Sequence, residues 1–348
     1  MQKVIYHNGL TFLINRFNND KTTTTTSWGV STSMKKILIG AAAAAFSFSS
    51  VTAMAGVSKE LPMASGSPSA DEIIEQVYFV NHFYALKNFG IKKKGKNITV
   101  IISRTEGKKP STLTVERYLN NDYSDGKINT KDVAIFRSGK LKGTGMLITD
   151  YVDDAKSQSY AIWLPALRKI RRFAEPAHDD AWGGTDFTFG DVMLRKPQHE
   201  SHKLLGTETF SGCLGGMDVP KNQRNKYMKK LPEGSCVSKD KTTYKVESTP
   251  KKENWWYDNR VSYVDTQTFA DYRTDYFKGG EKIKTIDRAW NSFKLDDPRA
   301  QYWSYWYGKN HKTNHETWAV IPDKVVTKND KKLKASLWTE KTLRKIKR

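Results

Sequence analysis

Apolar positions along the chain follow two periods. Between Asp71 and Leu86, the residues Ile73, Ile74, Val77, Val80, Phe83 and Tyr84 fall on one broad face at helical spacing. Ser69 is placed to cap that helix, Asp71 and Glu72 lie in its first turn, and Gly90 is the predicted stop. Beyond residue 97 the pattern becomes that of strands. Residues 98–103, 112–118, 133–137, 145–151 and 159–164 are short runs rich in β-branched and aromatic side chains, separated by turn signals such as Asp125-Gly126 and Ser138-Gly139. Further runs follow at 244–248, 261–265, 269–277, 281–287 and 316–321, with Gly279-Gly280 marking a hairpin. Residues 332–338 read as a closing strand, and 339–348 as a short basic helix or tail. One helix followed by about ten strands predicts a mainly β fold: an open, strongly curved antiparallel sheet, or half-barrel. The concave face of such a sheet must be covered, here by the N-terminal helix and short helices, or by an apolar ligand.

The N-terminal segment has a different logic. Met34-Lys35-Lys36, the apolar stretch Ile37 to Phe48 and Ala53-Met54-Ala55 form the three parts of a secretory signal peptide over residues 34–55, with cleavage between Ala55 and Gly56. The apolar run is too short and too interrupted by Ser for a span of about 20 residues. A signal works from the true start, so residues 1–33 read as an over-extended N-terminus. The expected domain plan is then a linker over 56–70 and one domain over 71–348. Residues 1–55 hold five Lys/Arg and one Asp, so they account for +4 of the net charge of +21 and leave +17 on residues 56–348. For an exported protein this balance points to anionic lipid headgroups, a membrane surface or lipopolysaccharide rather than to nucleic acid. Cys213 and Cys236 are the only cysteines. An oxidising compartment favours joining them across the basic loop that separates them.

The most distinctive segment is Trp163-Leu-Pro-Ala-Leu-Arg-Lys-Ile-Arg-Arg-Phe173, followed by Gly183-Gly-Thr-Asp-Phe-Thr-Phe-Gly-Asp191. Together with Phe136-Arg-Ser-Gly-Lys-Leu-Lys-Gly-Thr-Gly-Met-Leu, Lys203-Leu-Leu-Gly-Thr-Glu-Thr-Phe-Ser-Gly212 and Leu337-Trp-Thr-Glu-Lys-Thr-Leu343, it resembles the LolA-like outer membrane lipoprotein-sorting proteins, the branch that includes a treponemal lipoprotein domain. The resemblance covers about residues 112–348. Residues at about 214–240 depart from it as an insertion. It implies a periplasmic carrier without catalytic activity or cofactor. Such a carrier would bind the acyl chains of a lipid or lipoprotein in an apolar cavity and move them towards the outer membrane. A resistance-nodulation-division type exporter is the implied inner-membrane partner.

On this reading the cavity lining would come from Ile98, Val100, Ile102, Ile135, Leu147, Ile162, Leu164 and Ile170. Ordinary core packing explains each of them singly. Arg168, Arg171 and Arg172 are candidate headgroup contacts, since guanidinium forks suit phosphate. Alternation places Arg171 and Arg172 on opposite faces of a strand, with Asp186 or Asp191 as the carboxylate to test. The Gly183–Asp191 segment itself reads as a structural turn with packing phenylalanines. Two other classes remain. One is an envelope accessory protein that binds a transporter or lipopolysaccharide without lipid cargo. The other is a metal-dependent hydrolase, for which His178-Asp179-Asp180, His199-x-x-His202 and His311-x-x-x-His315 each offer a usable spacing. The late aromatic clusters, such as Trp255-Trp256-Tyr257 and Tyr305-Trp306-Tyr307, read as strand packing first and membrane contact second.

Overall fold

The computed structural model describes residues 56–346 apart from 230 and 233. The expected over-extended N-terminus at 1–33 and signal peptide at 34–55 lie outside the described residues, as does Ala55 of the cleavage site. Gly56–Arg348 clusters as one compact unit.

Helix α1 spans Ala70–Asn81. Ser69 and Glu72 form a capping box, each side chain bonding the other's backbone N–H. The helix stops well before Gly90. His82 is the C-cap, and Phe83 takes a positive φ of 56°, which turns the chain so that Phe83 and Leu86 enter the core.

Fifteen strands follow: β1 (Asn88–Ile91), β2 (Thr99–Thr105), β3 (Ser111–Asn120), β4 (Ile128–Phe136), β5 (Gly145–Tyr151), β6 (Ser159–Leu164), β7 (Lys169–Phe173), β8 (Glu200–Thr209), β9 (Thr242–Pro250), β10 (Asn259–Asp265), β11 (Asp271–Lys278), β12 (Glu281–Ser292), β13 (Gln301–Asn310), β14 (His315–Val320) and β15 (Val326–Lys328). The chain ends in helix α2, Glu340–Arg344. Residues 332–338 are a turn and a helical turn at Ala335–Leu337 instead of a strand.

All the strands join one open antiparallel sheet, ordered β7-β6-β5-β4-β3-β2-β14-β13-β12-β11-β10-β9-β8. It is two meanders joined where β14 pairs β2. Strand β1 continues along the same edge of β3 as β2 and carries β15. Sequence-adjacent β7 and β8 therefore lie at opposite edges. The segment between them, residues 174–199, must cross the whole sheet.

Directly paired residues share a face. One face, called inner here, runs through Ile162, Met146, Ala134, Arg117, then Ile101, Ala319, Trp306 and Arg288, then Thr274 and Ser262. The crossing segment covers it: Trp182, Phe187, Phe189, Met193 and Leu194 are all buried in its core. The crossing is close. A Cβ on Gly308 would sit 3.0 Å from the Phe187 ring. Helix α1 covers the β8 side, where Asn81 donates to Asp271 at 3.0 Å.

The outer face has two separate covers. Trp338 and Leu343 lie over Tyr118, Val133, Leu147 and Ala161. Leu214, Met217, Val219 and Met228, from the insertion, lie over Ile102, Tyr305, Tyr307 and Trp318. The insertion is firmly seated. Cys213 and Cys236 form a disulfide, the Gly215 N–H donates to Asp287 at 2.6 Å, and the Ser235 N–H donates to Tyr305 Oη at 2.9 Å. Gly215 is required there, since a Cβ would meet the Tyr307 ring at 2.6 Å.

Trp338 is 2% exposed, and its indole N–H donates to the Tyr118 carbonyl at 2.8 Å. Trp338→Ala should cost about 3–5 kcal/mol, read as a lower denaturant midpoint. An unchanged midpoint would mean that the C-terminal cover is not part of the cooperative fold.

Candidate functional site: a basic groove on the outer face

The middle of the inner face is filled. Two cavities there measure about 40 and 60 Å³, far below the roughly 300–1,000 Å³ of ligand pockets; a third, of about 400 Å³, lies at the end of the crossing segment among His178, Arg195, Glu200, Trp255 and Tyr257. Aromatic rings occupy the space: Phe187 lies 3.7 Å from Trp306 between ring centroids, and Phe83 stacks on Phe89 at 4.3 Å. Nor is the lining wholly apolar. Arg117 pairs with Asp132, Arg288 with Asp271, and Arg260 with Glu200.

The ion cluster around Asp191 fixes the crossing segment to the sheet. Its carboxylate is wholly buried and accepts from Lys284 at 2.5 Å, Tyr276 Oη at 2.6 Å and Arg195 at 3.0 Å. Despite its burial, the Lys284 and Arg195 charges hold its pKa far below the ordinary carboxylate value. Burial is the leading cause acting on Lys284 and lowers its pKa. Further along, Glu200 accepts from Arg260 and from Tyr257 Oη. Burial acts against its charge, but the Arg260 guanidinium prevails and brings its pKa down to about 2.

A wider space lies on the outer face, between the two covers. A groove of about 1130 Å³ opens there. Ile98, Val100 and Val320 form its floor, with Tyr227 and Leu231 of the insertion along one wall. Lys93, Lys96, Lys142, Lys226, Lys229 and Lys324 stand around it, all exposed. They come from four separate segments: the turn before β2, the β4–β5 turn, the insertion, and the stretch after β14. Glu116 is the carboxylate lining the groove; it pairs with Arg137 and accepts the Lys93 backbone N–H at 2.8 Å.

The eight residues expected to line one cavity do not come together. Ile162 and Leu164 face inward. Ile98, Val100, Ile102, Ile135, Leu147 and Ile170 belong to the outer face. Ile98 and Val100 reach the groove floor. Arg168 sits exposed in the β6–β7 turn at φ 49°. Arg171 and Arg172 do lie on opposite faces, opposite Ile162 and Ala161, but β7 is an edge strand and both are exposed. Arg172 pairs with Glu340 at 2.7 Å, and neither Arg171 nor Arg172 reaches Asp186 or Asp191. Asp186 instead accepts from Thr317 at 2.6 Å and contacts His315 Nδ1 at 2.8 Å.

The histidine pairs have other occupations. His202 bonds Ser248 and the Pro197 carbonyl, His311 bonds Thr285, and the rings of His178 and His199 are 5.5 Å apart. Among the described residues no group of three or more His, Cys, Asp or Glu is arranged to hold a metal ion. The aromatic clusters pack inside, with Tyr257 and Tyr305 each 2% exposed.

Residues 129–345, more than half of the chain, match the model of a protein family described as "-like: Uncharacterized protein". The chain belongs to that family. No curated protein sequence matches it. Among solved structures it is similar to a Vibrio parahaemolyticus domain named for outer membrane lipoprotein sorting, with a TM-score of 0.57 and 15% identity over 79% of this chain and 98% of that one. A DUF1329 family protein from Desulfovibrio piger superposes equally well, at 0.57 and 16% identity over 80% and 100%. At these identities the likeness is one of fold. The chain thus shares the fold of these two structures.

The buried charges of the inner face can be tested in two ways. Asp191→Asn would leave Lys284 and Arg195 buried without their carboxylate, a loss of about 3–5 kcal/mol measurable by urea unfolding; a loss under about 1 kcal/mol would show that the cluster does not hold the crossing segment. Second, stability should fall in two steps on acidification. Burial of His82, stacked on Tyr78, lowers its pKa from the ordinary 6.5 to about 4. The unfolded chain therefore takes up this proton first, and on the order of 3 kcal/mol is lost between pH 6.5 and about 4. Glu200 adds a second loss as pH falls from about 4.5 to about 2. His82→Phe should shrink the upper step and leave the part contributed by His199 and His202, whose pKa values burial also lowers; an upper step of unchanged size in that variant would assign it elsewhere.

Proposed function

We propose that this protein is a periplasmic, non-enzymatic carrier that binds an acylated ligand, lipid or lipoprotein, and passes it between membrane components towards the outer membrane. The observation that carries this reading is the groove: a long hollow of about 1130 Å³ with an apolar floor and a basic rim. Each acyl methylene covered by Ile98, Val100, Val320 and Leu231 would contribute roughly 0.8 kcal/mol. The export signal read at residues 34–55 supports a periplasmic location. So does the fold shared with a domain named for lipoprotein sorting. Among the described residues no helix is long and apolar enough to cross a membrane. An inner-membrane exporter of the resistance-nodulation-division type is the proposed donor or acceptor, on family resemblance.

The filled inner face favours a second reading, in which the protein serves a transporter or lipopolysaccharide through its basic surface and carries no cargo. One experiment separates the two. Lipid extracted from the purified protein is identified by mass spectrometry, and uptake of a fluorescent long-chain acyl probe is titrated. The carrier reading expects a co-purified acyl compound, and probe binding weakened several-fold in Tyr227→Ala/Leu231→Ala with the fold intact. A lipid-free protein that takes up no probe overturns it. Probe binding untouched by the double variant moves the site away from the groove.

A further inference from the structure

We infer that the groove selects a lipid whose headgroup carries phosphate, and that the insertion is one jaw of the headgroup clamp. This deepens the carrier reading and rests on it. Six lysines from four segments of the chain converge on one hollow. Among the described residues none of them has a carboxylate within ion-pair distance. The carboxylate beside them, Glu116, is already engaged by Arg137 and the Lys93 backbone. Like charges gathered around a hollow create a positive potential that only an anion relieves.

The cations buried in the inner face are paired: Arg117, Arg260, Lys284 and Arg288 each have a carboxylate. Some exposed lysines elsewhere among the described residues are also unpaired; what sets the rim apart is that six of them surround one hollow. A bare polyanion would use the rim and leave the floor wet; a zwitterionic lipid would use the floor and leave the lysines unmatched. A phosphate-bearing lipid satisfies both.

Lys226 and Lys229 face the hollow from the insertion, which the disulfide, the Gly215 contact and an Asn225–Thr112 hydrogen bond of 2.8 Å hold in place. Lys93, Lys96 and Lys324 approach from loops flanking β2 and β14. The headgroup sits between these jaws, with the acyl chains on Ile98, Val100 and Val320.

Calorimetry with monomeric short-chain phosphatidic acid, phosphatidylcholine of the same chains, glycerol phosphate and inorganic phosphate tests this. The expected result is phosphatidic acid binding at least on the order of tenfold tighter than the other three, with affinity falling as salt rises. Lys226→Gln/Lys229→Gln should weaken it on the order of tenfold without moving the thermal midpoint. Lys239→Gln/Lys241→Gln, exposed in the same region but outside the groove, should leave it unchanged. Equal affinity for phosphatidic acid and phosphatidylcholine overturns the headgroup assignment and leaves the carrier reading standing. Glycerol phosphate or inorganic phosphate binding as tightly as the lipid replaces the lipid by a free phosphate ligand. Loss in both lysine pairs alike overturns the clamp, and binding of no lipid at all overturns both proposals.

Discussion

The fold depends on one crossing. The two meanders end at opposite edges of the sheet, so the chain between β7 and β8 must traverse the inner face. Every backbone amide on that path needs a partner, and every apolar side chain needs a place. The segment meets both demands at once. Thr188 and Asp191 bond each other's backbone N–H groups, and the phenylalanines at 187 and 189 sink into the sheet. The Asp191 cluster then fixes the register: one carboxylate reaches Lys284 on β12, Tyr276 on β11 and Arg195 on its own segment. Lys196 extends the path to the β5–β6 turn, donating to Asp154 at 2.5 Å. A segment anchored at so many points is a plug and leaves no passage beneath it.

That plug decides where a ligand can go. With the middle of the inner face sealed by the chain itself, a wide groove has room on the outer face. Most sheets of this kind bury one face and wet the other. This one buries both over much of its area, because the insertion and the C-terminal tail each lay an apolar cover on the outside. The groove is the gap those covers leave. The insertion, which departs from the resembling family, therefore helps to create the very hollow in which this protein can differ from other bearers of the fold.

Burial on both faces also sets how much was legible in the sequence. Strands β5 and β6 coincide with the runs read at 145–151 and 159–164, because short β-branched runs between turn residues are strands whichever face they turn inward. Choosing the face was another matter. Apolar–polar alternation fails where Val100 and Ile101 are both buried, one outward and one inward. Six of the eight lining candidates consequently fell on the outer face. Strand β13 was invisible for the same reason: Tyr302-Trp-Ser-Tyr-Trp-Tyr has bulk on both sides and no polar stripe. The helix end was missed because Phe83 breaks it without glycine or proline. The convergence of the rim lysines left no local signal; their four segments are far apart in sequence and meet only when β14 pairs β2. The basic loop at 221–234 was the one visible hint.

Charge tells the same story in another form. A chain with a net +17 over residues 56–348 could spread its excess evenly as a solubilising coat. The structure instead divides its cations into two populations. Those turned into the protein, such as Arg260 and Lys284, each have a carboxylate, because an unpaired buried charge costs several kcal/mol. The surplus is left outside, and part of it gathers around a hollow floored by apolar side chains. Apolar floor and unpaired charge have opposite solvation needs, and water satisfies only the second. A molecule with both an apolar and an anionic part satisfies the two together. The physical case for an amphiphile therefore rests on that coincidence and not on the total charge.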